Sequence, residues 1–412
     1  MAKKKRAKRQ SIRNLDLGFG GSEPLYGLEG LSSGQSRADD RRTPGPSEVD
    51  GVRTDGDPEM SAVLARALSH AGREDRETHG FHTYPAGMNP SCATEIIDAC
   101  PGAVHDPFCG GGTVLVEAML CGREASGTDI SPIAHLVTRA RTAPVEMATP
   151  VRAAARRITE AAKEPTETDI PEIASSWYEP HVAEELGRIR DGIRREDPAL
   201  QPLLLAVFSS ILVKASFRES DTSNNRVPTQ RPPGTTLTLF HKKARLYGRM
   251  LETMPAGLSR PSIELGDARE TPPPREVGLV LTSPPYPGVY DYLPMQQLRY
   301  AWLGLDPGPG FSKEIGSRRD FRARGRADAV TEWQEATRAW VSTQAQALSP
   351  GGRMAVVVGD GLVAGRNVDT LDATVQAMEA AGLFIYARAS ADRPDHARGD
   401  VRTEHIVMGA ID

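Results

Sequence analysis

The apolar positions change rhythm several times along the chain. Through residue 58 they are sparse and unpatterned among Gly, Ser, Pro, Asp and Arg, which predicts a disordered tail. Helical spacing sets in over Met60 to Ala71, and a turn-rich stretch, His79 to Pro90, leads to a second helix near Ala93 to Cys100. Pro101-Gly102 breaks that helix. Ala103 to His105 then reads as a short strand, Thr113 to Leu120 as an apolar helix stopped by Gly122, and Ala125 to Ile130 as a second strand. This β-loop-α-β order is that of a parallel α/β sheet.

Alternation then ceases for more than a hundred residues. Pro150 to Lys163, His181 to Arg195, Pro202 to Phe217 and His241 to Met254 carry helical spacing, with a polar, turn-rich stretch over Arg218 to Thr238. Short strands return at Ile263 to Leu265, Val277 to Thr282, Met354 to Val358, Leu383 to Ala387 and His405 to Met408. Between them lie helices near Thr331 to Leu348 and Val368 to Ala381, and a turn at Ser349-Pro-Gly-Gly352. The expectation is a tail over 1–58, a sheet half over 59–144, a mostly helical insertion over 145–258 and a second sheet half over 259–412.

Composition narrows the classes. The chain has 412 residues and a net charge of −4, so a uniformly basic nucleic-acid coat is excluded and any such contact is local. The longest apolar run, Leu203 to Val213, is interrupted by Ser209 and Ser210 and is too short for the roughly 20 residues of a membrane span. No apolar stretch follows the basic N-terminus, as a secretory signal requires, so the expected compartment is cytoplasmic. Cys92, Cys100, Cys109 and Cys121 lack zinc-site spacing, and the histidines form no helical metal pair, so no metal is expected. Met1 to Asn14 holds seven Lys or Arg and no acid, which suits either a nucleic-acid arm or a solvated tail.

Two segments carry candidate chemistry. In DPFCGGGT, Asp106 to Thr113, the glycines let backbone N–H groups approach a ligand at a helix N-terminus. Asp129 follows at the next strand end, as it would in a dinucleotide site. Asp106, however, sets a carboxylate where a pyrophosphate would lie. A ligand with an ammonium group and no phosphate suits that position, and S-adenosylmethionine is such a ligand. The second segment is Ser283-Pro284-Pro285-Tyr286, directly after the strand Val277 to Leu281. Two prolines make a stiff corner at a strand's C-terminal end. Ser283 and the Pro284 carbonyl become fixed acceptors, and Tyr286 offers a flat face. Methylation of a base's exocyclic amine needs such parts: acceptors for the amine protons and a surface for a base taken out of its helix.

Together these segments resemble the cofactor and catalytic motifs of amino-group DNA methyltransferases, which modify cytosine N4 or adenine N6. His82-Thr-Tyr84-Pro-Ala86 is similar to the segment that closes over the methionine part, Gly127 to Pro132 to the ribose-binding strand end, and Gly266-Asp267-Ala268 to the acid near the adenine ring. The resemblance spans roughly 80–410 apart from the insertion. It implies a Rossmann-like methyltransferase sheet, S-adenosylmethionine as cofactor, and cofactor contacts at Tyr84, Asp106, Phe108, Gly110, Gly112, Thr113, Asp129, Ile130, Asp267 and Ala268. The Ser-Pro-Pro-Tyr form implies cytosine N4 as target. DNA adenine N6 or an RNA base amine is the alternative, and a non-catalytic nucleic-acid-binding relative is a further one. The resemblance also implies DNA as partner, a nucleoid-associated location, and room for a restriction endonuclease as a further partner. Lys313, Arg318, Arg319, Arg322, Arg324 and Arg326, with Phe321 among them, are the expected nucleic-acid contacts. The insertion is where target recognition could sit.

Overall fold

The computed structural model describes residues 51–85, 87–306, 313–363, 366–395 and 400–412. The expected tail thus lies outside the described residues through position 50.

Twelve strands are described: β1 (Val52–Gly56), β2 (Val104–Asp106), β3 (Ala125–Asp129), β4 (Arg218–Ser220), β5 (Ser223–Arg226), β6 (Ser262–Leu265), β7 (Val277–Thr282), β8 (Leu348–Gly359), β9 (Gly361–Val363), β10 (Arg366–Val368), β11 (Phe384–Asp395) and β12 (Asp400–Ala410). Eight of them form one sheet in the order β1-β11-β12-β8-β7-β2-β3-β6. From β8 to β6 every pairing is parallel. β12 and β11 close that edge antiparallel. β7 shows why its sequence is so apolar: all its residues are buried, as a central parallel strand covered on both faces must be. Leu279 and Leu281 face a core shared with Leu64, Ile96 and Val114. Val280 faces the opposite core with Trp340 and Met378.

Three expectations change. The boundary at 58 moves, because Val52–Gly56 pairs antiparallel with β11 and forms the sheet edge. The Ser349–Gly352 turn lies inside β8. Leu348 pairs with Val277, yet Arg353 already pairs with Leu279, so the residues between are bulged out of register. The polar stretch after Phe217 contains the β4–β5 hairpin.

The insertion is helical: α5 (Ala148–Ala161), α7 (Pro180–Arg194), α8 (Gln201–Ala215) and α9 (Thr235–Glu252), with the short α6 (Ala174–Trp177). Before it come α1 (Pro58–Ser69), α2 (Pro90–Asp98), α3 (Thr113–Leu120) and α4 (Pro132–Arg141). The apolar core of α5, α7, α8 and α9 also takes in Phe81, Leu136, Ala140, Leu298 and Trp302 from outside the insertion. Tyr247 on α9 donates to the Ala140 carbonyl at 2.8 Å. No described helix is long and apolar enough to cross a membrane.

Candidate active site

The adjacency of β2 and β7 joins the two motifs. Thr282, the last residue of β7, donates through Oγ1 to Asp106 Oδ1 at 2.7 Å across 176 positions of sequence. Asp106 ends β2 and also accepts from the Phe108 N–H at 3.1 Å. Ser283 therefore starts one residue from the carboxylate that opens the glycine loop.

That loop is held from several sides. Gly112 caps α3 at φ +82, and a Cβ there would lie 2.7 Å from Thr138. Thr138 on α4 donates to the Gly110 carbonyl at 2.9 Å. Arg141, also on α4 and buried, donates to the His82 carbonyl at 2.6 Å. The segment through His82 is thereby anchored, and the Tyr84 ring lies beside Gly110. Asp129 ends β3. Its two oxygens accept from Gly110 N–H and Ser131 N–H, each at 2.8 Å. A carboxylate has about four acceptor sites, so capacity for ligand hydroxyls remains.

A cleft open in part to solvent, with about 940 Å3 of empty space, runs along these residues. Tyr84, Asp106, Phe108, Gly110, Thr113, Asp129, Ile130, Asp267, Ala268, Ser283 and Pro285 all line it. Gly112 does not; its place is at the helix cap behind. Burial pushes Asp106 up to about 7, with the charge of Asp129 adding to the shift. Burial likewise pushes Asp129 up to about 6. Burial would raise Asp267 too, but hydrogen bonds and charge from Arg269, together with Lys313, hold it below the usual carboxylate range. Two buried acids made less acidic by burial suit a cationic ligand, since a positive charge beside them restores their ionised form. These acceptors fit S-adenosylmethionine: Asp106 would take its ammonium side and Asp129 its ribose hydroxyls.

A second cavity, with about 730 Å3 of empty space that is open in part to solvent, lies beyond Ser283. Ser283, Pro284, Tyr286, Tyr290, Tyr292, Asn89, Arg402 and Glu404 line it. Gly87, Met88, Ser283 and Tyr292 border both cavities. The Ser283 hydroxyl is 3.5 Å from the Tyr286 hydroxyl. Gly359 makes room for Tyr286: a Cβ there would come within 2.8 Å of its ring. Cys92 also lines this cavity, but burial pushes its thiol up to about 12, so it is no ready nucleophile.

The predicted cations are placed differently from an open basic patch. Lys313 lines the first cleft and pairs with Glu270 at 3.0 Å and with Asp267 at 4.0 Å. Arg318 donates to the Val289 carbonyl, and Arg319 pairs with Glu314 at 3.0 Å. Arg326 donates to the Asn367 carbonyl at 3.0 Å. Arg322 is exposed, and Arg324 ends the helix Arg318–Arg324. Acids thus hold Lys313 and Arg319, and backbone carbonyls hold Arg318 and Arg326. Among the described residues no group of His, Cys, Asp or Glu is arranged to hold a metal.

Sequence reasoning did not single out Tyr292, Glu314, Arg402 or Glu404. Glu314 lines the cleft and accepts from the Tyr292 N–H, and burial pushes it up to about 7. Its signal was an acid set within a basic run. Arg402 and Glu404 carried none, since their position depends on β12 pairing with β8.

No family model matches the chain. Over 75 residues it is 41% identical to the type II methyltransferase M.MvaI of Kocuria varians. Among solved structures, the rRNA methyltransferase AviRa of Streptomyces viridochromogenes is similar with a TM-score of 0.32 at 13% identity, over 80% of this chain and 88% of that one. The putative RNA methyltransferase PH1948 of Pyrococcus horikoshii has a TM-score of 0.31 at 10% identity, over 84% and 96%. Scores this low carry no argument about activity. The match to M.MvaI spans 17% of this chain and 16% of that enzyme, a likeness to a methyltransferase that is local rather than whole-chain.

Proposed function

We propose that the chain is an S-adenosylmethionine-dependent DNA methyltransferase acting on an exocyclic base amine, cytosine N4. The observation that carries this reading is Ser283 on the boundary of two cavities. One has the buried acids for a cationic cofactor. The other has the tyrosine faces for a base. The local likeness to M.MvaI supports the methyltransferase part of the reading.

Bound in the first cleft, S-adenosylmethionine would supply a methyl group on a positively charged sulfur. The protein's part lies on the other side of Ser283. An exocyclic amine is a poor nucleophile because its lone pair is delocalised into the ring. The Ser283 hydroxyl and the Pro284 carbonyl can each accept one amine proton, which favours a pyramidal nitrogen with its lone pair turned to the first cleft. Tyr286 supplies a stacking face, worth roughly 1–3 kcal/mol per base. The extra proton on the product nitrogen is acidic and can leave to water or a backbone carbonyl. No covalent enzyme–base bond is needed, in keeping with a buried, unactivated Cys92.

DNA incubated with the protein and cofactor, then digested to nucleosides for mass spectrometry, tests this. N4-methylcytosine is the expected product. N6-methyladenine would keep the amine chemistry and change the base. Methylation of RNA alone would overturn DNA as substrate.

A further inference from the structure

We propose that Arg402 is the residue that selects cytosine in the second cavity, by donating to the base's O2 carbonyl. The inference rests on the reading of that cavity as the base site and goes beyond it by assigning the choice of base to a side chain on β12.

Ser283 and the Pro284 carbonyl accept protons, so they recognise an amine and nothing else. Cytosine and adenine both carry an amine with a ring-nitrogen acceptor beside it. They differ one position further along that edge, where cytosine has a carbonyl oxygen and adenine only a C–H. A site that tells them apart therefore needs a donor across the cavity from the amine acceptors. Arg402 meets this need. It lines the same cavity as Ser283, Pro284 and Tyr286 but comes from a different strand. Its aliphatic stem lies beside Gly359, at 3.4 Å from where a Cβ would stand. The Tyr286 ring meets that same point at 2.8 Å. The stem and the ring thus both flank Gly359 on the cavity wall. Glu404 lines the cavity with Arg402 and Tyr286.

Alternation along β12 puts Arg402 and Glu404 on one face, with His405 on the other, where it pairs with Asp360 at 3.4 Å. Glu404 is held by Arg393 at 3.2 Å. A guanidinium has five N–H donors, so Arg402 can serve a protein acceptor and a base carbonyl together. Adenine in the same position would offer the guanidinium a C–H where cytosine offers a carbonyl, and sites built around a hydrogen bond reject analogues that lack the partner.

The test compares wild type with Arg402→Met, which keeps the stem beside Gly359 and removes the donors, and Arg402→Lys, which keeps the charge. Cofactor affinity measured by calorimetry reports that each variant is folded. Arg402→Met should raise KM for DNA about tenfold or more and cut the ratio of N4-methylcytosine to N6-methyladenine, with cofactor affinity unchanged. Arg402→Lys should restore part of both. In saturation-transfer NMR without cofactor, wild type should bind free deoxycytidine better than deoxyadenosine, and Arg402→Met should lose that preference. An Arg402→Met enzyme with wild-type KM, product ratio and nucleoside preference overturns the assignment. A wild type that makes only N6-methyladenine also overturns it, yet leaves amine transfer standing. A wild type that methylates no nucleoside overturns both.

Discussion

Ser283 presents one hydroxyl to two cavities, so its replacement should separate chemistry from binding. Ser283→Ala removes an acceptor for the reacting amine and leaves the acids of the first cleft in place. Turnover should fall about 100-fold or more, with cofactor affinity nearly unchanged. Equal loss of both, measured by steady-state kinetics and calorimetry, would make Ser283 structural. Asp129 gives the complement. It already supports the glycine loop through the Gly110 N–H, so Asp129→Ala removes ligand acceptors and a loop anchor together. Cofactor affinity should drop about tenfold or more. The proton adds a third handle. Burial raises Asp106 to about 7, so in the ligand-free protein this acid is mostly neutral below that pH. A cationic cofactor needs it ionised. Affinity should therefore fall about tenfold between pH 8 and pH 6. A flat profile by calorimetry would show that Asp106 does not face the ligand's charge. Tyr286 is less simple than its sequence suggested. Its hydroxyl is near Ser283, so Tyr286→Phe tests orientation of that serine as well as stacking.

Elements differ in how readily they could be read. β7 was legible because a strand buried on both faces is written as an apolar run, whereas β2, Val-His-Asp, was legible from its place between the Pro101-Gly102 break and the glycine loop. The loop between β2 and α3 was legible because Asp106 to Thr113 carries its chemistry in local order. β1 was not: Val-Arg-Thr-Asp-Gly has no alternation, and four of its five residues are exposed. It becomes a strand because β11 lends it a hydrogen-bonding edge, and no sequence window around residue 52 contains β11. Arg402 and Glu404 were hidden for the same reason, since strand pairing alone brings them to Ser283. The basic run over Lys313 to Arg326 was legible in its charge and not in its pairing. Glu314 and Asp291 hold Arg319, and the Val289 and Asn367 carbonyls hold Arg318 and Arg326, pairings that only the fold makes. β1 carries its own prediction. Asp57 caps α1 by accepting from the Met60 N–H at 2.9 Å, and the Ser61 hydroxyl donates to the Asp55 carbonyl at 3.1 Å. A chain beginning at Gly51 should melt like the full chain. One beginning at Glu59 loses that cap, worth about 1 kcal/mol, and bares the β11 edge. It should melt several degrees lower and aggregate on heating; equal melting temperatures would make β1 dispensable.

Across the described molecule, the helical insertion is not a detachable unit. Its core runs without a break into Phe81, Leu136, Ala140, Leu298 and Trp302, and His82, beside the cleft, reaches Ser209 on α8 at 3.0 Å. Sheet and insertion should therefore unfold together, in one calorimetric transition rather than two. A ligand bound only at the first cleft then stabilises the whole transition. The size of that shift should depend on pH, and its sign follows from the two raised acids. A carboxyl lifted from 3.8 to about 7, as Asp106 is, costs the ligand-free fold stability as pH rises through that window, because its charged form is disfavoured there. Asp129, lifted to about 6, acts in the same direction. A bound cation removes the penalty by favouring the ionised acids. The gap in melting temperature with and without S-adenosylmethionine should therefore widen from about pH 6 to about pH 8, with a single peak in every trace. Two peaks, of which the cofactor moves one, would mean that the insertion folds apart from the sheet. A gap that narrows with rising pH would mean that the buried acids face something other than the cofactor's positive charge.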